Sequence, residues 1–390
     1  MRIEKNNLAE SPVAWASGPC SLRPKNTART PRPPDPRHAF RYPFLLTLMV
    51  VMLFFPKPSP LETTAVSAAT TEEILTPATE LAVMKGLGYL SQQQQADGSF
   101  TGFDEPGPRV APAAQVLLAF LSTGQTPAVG RHALATRNAV DFIVRQLPDD
   151  GDFGRADGSG IFGQAIITIA LAEIHGLDTD AARRSLIQDA LKKSLAVIIS
   201  TQDSRNDARA GGWREGGNGE GELEATLWMV LALRALKDAD FDVPKEAMQR
   251  AVSFVRACAK RNAAAFSNRD GGPTPLTNAA GIAVLLLAGI DGKDNLKEPH
   301  KFLVEHRPNE EATDFFTTLY VSSLAAMQEG EPKWTPVWKP IRDILLGKQT
   351  AEGSWFPPRP PSVGLGTVAA TSTAVMTLAM PYRLLPLYGR

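Results

Sequence analysis

Six stretches of this chain are apolar on almost every helical face: "AAQVLLAFLSTG", "GQAIITIALAEIHG", "EATLWMVLALRAL", "TNAAGIAVLLLAG", "FFTTLYVSSLAAM" and "AATSTAVMTLAM". A helix without a polar face must be covered on every side, so none of the six can lie on the surface. Between them run helical segments with a single apolar stripe, such as Val83, Leu87 and Leu90, then Leu191, Leu195 and Ile198, then Ile341, Ile344 and Leu345. Strict alternation of the two helix types predicts an all-α fold of six helix pairs. The amphipathic helices form an outer ring facing water and the apolar helices an inner ring, which is an (α/α)6 toroid. An open solenoid would need one polar face on each inner helix, and these have none.

The glutamine-rich stretch "KGLGYLSQQQQADGSF" is one copy of a repeat. Gln94, Gly98 and Phe100 recur at the same spacing as Gln349, Gly353 and Trp355 in "GKQTAEGSWFPP". Looser copies pair Gln146 with Gly151 and Phe153, and Gln202 with Gly212 and Trp213. Each copy follows an amphipathic helix. The glycine suits a left-handed turn that closes the helix, the aromatic supplies apolar cover, and the glutamine amide can bond backbone groups at the start of the next helix. Two further units, around "PKEAMQRAVSFVRACAKRN" and "HKFLVEHRPNEEATDFFTTLY", are too degraded to show the motif. Written as Q-x-x-D/E-G-S-W/F, the repeat resembles the QW repeat of squalene and oxidosqualene cyclases and of protein prenyltransferase β subunits, over roughly residues 80 to 385. That resemblance implies the toroid and a terpenoid cyclase-like or prenyltransferase-like ancestry.

The chemistry of those families is not carried over. The resemblance implies an Asp-x-Asp-Asp acid for class II cyclization, because protonating an alkene takes a desolvated acid. Here Asp314 stands alone, with Phe315 and Phe316 where the paired acids are expected. Zinc-dependent prenyl transfer implies an Asp, Cys and His set. Cys258 has no histidine beside it in sequence, His300 and His306 lie six apart, and His132 and His175 are isolated. No metal and no cofactor are expected. The carboxylates at inner-helix starts, Asp314, Glu222 and Glu224, are the candidate catalytic residues; their ordinary reading is helix capping and first-turn charge. Phe162, Trp228, Phe315 and Tyr320 are expected to line a central cavity. The glycine-rich "REGGNGEGELE" reads as a flexible loop.

The 390 residues carry 41 basic and 41 acidic side chains with no basic patch, which argues against a nucleic-acid partner. Residues 1–42 read as a basic, disordered leader, and residues 43–68 as a signal-peptide core or membrane anchor built on the apolar run at 44–55. Residues 69–80 read as a linker and 81–390 as the toroid domain. Export or membrane anchoring follows. The expected function is a toroid repeat protein that binds a lipid or isoprenoid, or a protein partner, without class II cyclase activity. The alternative is a divergent cyclase or carbohydrate-active enzyme using Asp314 with Glu222 or Glu224.

Overall fold

The computed structural model describes residues 75–100, 110–216, 219–259, 264–289, 296–358 and 366–389. The expected leader and the apolar run at 44–55 lie outside the described residues, and among the described residues no helix is long and apolar enough to cross a membrane.

Among the described residues, twelve principal helices alternate between two kinds. The amphipathic set is α1 Pro77–Gln92, α3 Ala133–Arg145, α6 Ala181–Ser200, α8 Lys245–Ala257, α10 Lys297–Glu305 and α12 Trp334–Lys348. The apolar set is α2 Val110–Leu121, α5 Gly160–His175, α7 Leu223–Asp238, α9 Pro275–Leu287, α11 Phe315–Glu329 and α13 Thr367–Ala379. A single turn, α4 Phe153–Asp157, precedes α5. The apolar helices pack side by side in chain order and α13 returns to α2, closing an inner ring, with each amphipathic helix laid outside it. All described residues of α2 from Ala111 to Leu121 are buried, whereas α1 buries only its stripe with Val83, Leu87 and Leu90. The two helix types are therefore read correctly from their polarity, and the fold is the (α/α)6 toroid. Among the described residues there are no strands, only three isolated bridges beside the turns.

The first outer helix begins inside the segment expected to be a linker. Thr76 caps it by accepting the Thr79 N–H at 3.2 Å, and Pro77 supplies the preset φ of a first helical residue.

The repeat motif is an inter-unit latch. Gln94 Nε2 donates to Ala135 O in α3 at 2.9 Å, Gln202 Nε2 to Ala247 O in α8 at 2.9 Å, and Gln349 Nε2 to Ala82 O in α1 at 2.8 Å. Each amide also donates to its own turn, at Gly98, Gly211 and Gly353. The third glutamine joins the last unit to the first and closes the outer ring. The bonded groups are carbonyls early in the next outer helix, using a lone pair that the helix ladder leaves spare. In the third unit the turn glycine is Gly211, with φ +102°, not Gly212 as the sequence suggested; the two adjacent glycines shifted the alignment by one.

Gln146 does not latch. It is exposed, and in that unit the inner helix supplies the amide: Gln164 Nε2 donates to Gly151 O at 3.1 Å and to Ser194 Oγ of α6 at 2.9 Å. The fourth unit does the same with Asn278, whose Nδ2 donates to Pro299 O in α10 at 2.8 Å. The aromatics are fully buried, as expected, and both tryptophans also cap: Trp213 Nε1 donates to Ile198 O and Trp355 Nε1 to Leu345 O, in the last turns of α6 and α12.

Candidate functional site

Alternation makes all six inner helices run the same way, so their N-termini gather at one mouth of the ring. Free backbone N–H groups and positive helix ends there attract carboxylates and other acceptors. Three of these termini are capped from the neighbouring unit. Asp157 accepts from Val110 N at 2.6 Å at the start of α2. Glu215 accepts from Ile161 N at 3.0 Å at the start of α5, and Asn268 from Leu223 N at 2.9 Å at the start of α7.

The three sequence-predicted carboxylates are not used in this way. Asp314 is the residue before α11 and Glu222 the residue before α7, but neither side chain makes a capping bond. Glu222 stands 3.9 Å from Arg214. Glu224, in the first turn of α7, is half-buried. Burial pushes its carboxyl up to about 7, and the negative charge of Asp314, then of Glu222 and Glu215, adds to the rise; a hydrogen bond from the Trp228 side chain opposes it. The structure thus brings Asp314, Glu222 and Glu224 together and adds Glu215, which sequence reasoning missed because it sits in the glycine-rich loop.

The described residues of that loop, on either side of 217 and 218, are tied to the body of the toroid. Glu222 N donates to Trp213 O at 2.7 Å, Glu220 pairs with Arg269 at 2.7 Å, and Glu215 caps α5.

Beneath the carboxylates lies a column of aromatic side chains. Phe162 meets Trp228 edge to face with ring centroids 5.1 Å apart, and Trp228 stacks on Tyr320 at 6.1 Å and 4°. These three come from α5, α7 and α11, so they reach across the ring interior. Phe315 does not join them: its ring lies under Lys348 Nζ of outer helix α12 and against Phe316. From the opposite end the C-terminal 3-10 turn Pro386–Tyr388 packs on α7 and α11 and buries Leu387 and Tyr388. The Tyr320 and Tyr388 phenols lie beside each other, and burial pushes the Tyr388 hydroxyl well up. Own side chains therefore occupy the interior below the mouth.

Among the described residues no group of histidine, cysteine and carboxylate side chains could hold a metal ion. Cys258 is buried at the end of α8 with an Arg209 nitrogen 3.3 Å from its Sγ. His300 pairs with Glu329 at 2.6 Å, His306 stacks on Phe302, and His132 stacks on Phe120.

No protein-family model matches the sequence, and no curated relative does. Solved structures do share the architecture. Cellobiose 2-epimerase from Spirochaeta thermophila aligns with TM-score 0.57 at 16% identity, over 82% of this chain and 99% of the epimerase. An alpha-1,6-mannanase from Salegentibacter aligns with TM-score 0.55 at 10% identity, over 79% and 99%. The type II terpene cyclase MstE from Scytonema aligns with TM-score 0.53 at 13% identity, over 80% and 100%. At these identities the likeness is one of fold, and the chain is an (α/α)6 toroid of the kind that carries both cyclases and carbohydrate-active enzymes.

Proposed function

We propose that the mouth formed by the inner-helix N-termini is a carbohydrate-active acid–base site, with Glu224 the proton donor and Asp314 or Glu222 its carboxylate partner. The observation that supports this reading is the position of Glu224. It is a half-buried carboxyl raised to about 7, facing a second carboxylate that makes no capping bond. Cleaving a glycosidic bond calls for a carboxyl that still holds its proton near neutral pH and a second carboxylate nearby. Glu224 would protonate the leaving oxygen, and the partner would activate water or attack the anomeric carbon. Phe162, half-buried beside Trp228, offers an apolar surface on which a sugar ring could rest.

The test is turnover of a panel of aryl glycosides and polysaccharides by the full chain and by Glu224→Gln. The expected result is a loss of at least about 100-fold on substitution, in the usual range for a general acid. The upper limb of the pH profile near 7 should also disappear. A variant as active as the parent overturns the assignment.

The lipid- or isoprenoid-binding reading is supported by the aromatic trio Phe162, Trp228 and Tyr320 and by the likeness to a terpene cyclase. Mass spectrometry of an organic extract of the native protein checks it, and a stoichiometric lipid with no glycoside turnover would favour it. A protein partner at one rim, and export or anchoring through residues 44–55, stand as further proposals on the sequence pattern alone.

A further inference from the structure

The opposite rim of the toroid holds a cavity of about 890 Å³ that neither reading of the mouth uses. That is within the usual range of small-molecule sites, roughly 300 to 1,000 Å³. It lies where the C-terminal ends of α2, α5 and α7 meet, walled by outer helix α6 and by Leu384–Pro386 of the C-terminal segment. On its floor Glu173 is 8% exposed; its Oε1 has no hydrogen-bond partner, and burial pushes the carboxyl up to about 7 against the backbone N–H of Leu387, which favours the charged form. His175, two residues on, also lines the cavity with a buried Nδ1 that lacks a partner. Two buried polar atoms without a partner thus belong to residues that line one space. A buried polar atom left unpaired is destabilizing, so two of them at one lining point to a ligand that bonds both.

The field in the cavity has one sign. Three inner helices present their negative ends to it. Asp238, Asp240 and Asp242 stand exposed at its edge, and only Lys192 among the lining residues opposes them. Asp238 is paired with Arg234 at 2.9 Å, and Lys192 lies 3.5 Å from Asp189. The remaining walls are largely apolar, with Leu177 and Leu384 48% and 52% exposed beside the opening and Phe241 tilted against His175. An anion would be repelled, and the side chains do not assemble a metal-binding group.

We propose that this rim binds an organic ammonium ion with an apolar body, whose N–H groups are taken by the Glu173 carboxylate and by His175 Nδ1 in its Nε2–H tautomer and whose hydrocarbon lies on the leucine and phenylalanine walls. A protonated primary amine has three donors and a charge to match the Glu173 carboxylate, the unpaired His175 nitrogen and the negative field. The groups that face Glu173 are the Leu387 backbone N–H and Asp238, then the Tyr320 and Tyr388 phenols, which burial and then its charge push up, with His175, Lys192, Asp240 and Asp242 around the same space.

The experiment is titration calorimetry of the full chain with 2-phenylethylamine, its neutral counterpart 2-phenylethanol and the anion 3-phenylpropionate. The amine should bind at least about tenfold more tightly than the alcohol, since a charge-assisted bond at a buried acceptor is worth well over one decade, and the anion should not bind. Glu173→Gln should bring the amine down to the alcohol's affinity, and Lys192→Ala should strengthen amine binding a few-fold by removing a like charge. At pH 7, binding to a carboxyl that titrates near 7 should release roughly half a proton, read from heats in two buffers of different ionization enthalpy. That readout needs no variant. Equal affinity for amine and alcohol, unchanged amine binding in Glu173→Gln, or no proton release overturns the proposal. So does loss of amine binding in Glu224→Gln, which would place the amine at the other mouth.

Discussion

Replacing Gln349 by alanine removes the latch that joins the last unit to the first. Two N–H donations are lost, to Ala82 O at 2.8 Å and to Gly353 O at 3.0 Å, at a part-buried site. At about 1 kcal/mol net each, the loss is about 2 kcal/mol, less where water reaches the freed carbonyls. Unfolding entropy of about 2.1 cal/mol/K per residue over the roughly 290 described residues gives about 0.6 kcal/mol/K, so the midpoint should fall by about 3 °C. Differential scanning calorimetry measures this, with Gln146→Ala as the internal comparison. Gln146 occupies the same place in its motif but is exposed and makes no latch, so its substitution should stay within about 0.5 kcal/mol of the parent. If Gln349→Ala leaves the midpoint unchanged, or if Gln146→Ala lowers it equally, the latch does not hold the ring together.

Gly98→Ala and Gly353→Ala should each destabilize by more than about 3 kcal/mol or prevent folding. Both backbones sit at φ above +90°, and an added Cβ would come within 2.2 Å of Asn138 O or 2.5 Å of Lys85 O. Gly88→Ala, in the interior of α1 with nothing within 4 Å, should instead stabilize by up to about 1 kcal/mol in urea melts; destabilization there would refute the account of α1. Glu173 titrates near 7 when folded, above its ordinary 4.5, so the native state holds the proton more tightly. Its contribution is therefore complete at low pH and is lost as pH rises from about 4.5 through 7. Glu173→Gln should remove part of the stability drop between pH 5 and pH 8.5, on the order of 2 kcal/mol, and an unchanged drop would count against the burial of that charge.

The architecture was legible because polarity is a property of each helix separately. Helices α2, α5 and α13 are apolar all round, and no arrangement other than an inner layer covers them. The latch was legible only in part. Where it leaves from the end of the outer helix with the turn glycine four residues on, as at Gln94 and Gln349, the spacing shows it; at Gln202 the turn glycine Gly211 lies nine residues on and the copy is loose. Where it leaves from the inner helix, as at Gln164 and Asn278, the amide is embedded in an apolar run and carries no such spacing. Asp314, Glu222 and Glu224 could be placed at helix starts from sequence. Their convergence depends on ring closure, and the freedom of Glu222 from capping α7 depends on Asn268 taking that role from the next unit. Glu173 was overlooked, although an acid inside "ALAEIHG" near the end of an otherwise apolar helix is itself a signal.

Closure of both rings has a consequence for how the protein is made. The seam pairs residues from the two ends of the domain: Gln115 Nε2 donates to Thr373 Oγ1 at 2.8 Å on the inner ring, and Gln349 to Ala82 on the outer. Helix α2 leaves the ribosome long before α13, its neighbour across the seam. At about 5 to 20 residues per second, the interval is on the order of 10 to 50 s. Throughout it, one flank of the most apolar layer of the molecule has nothing to lie against.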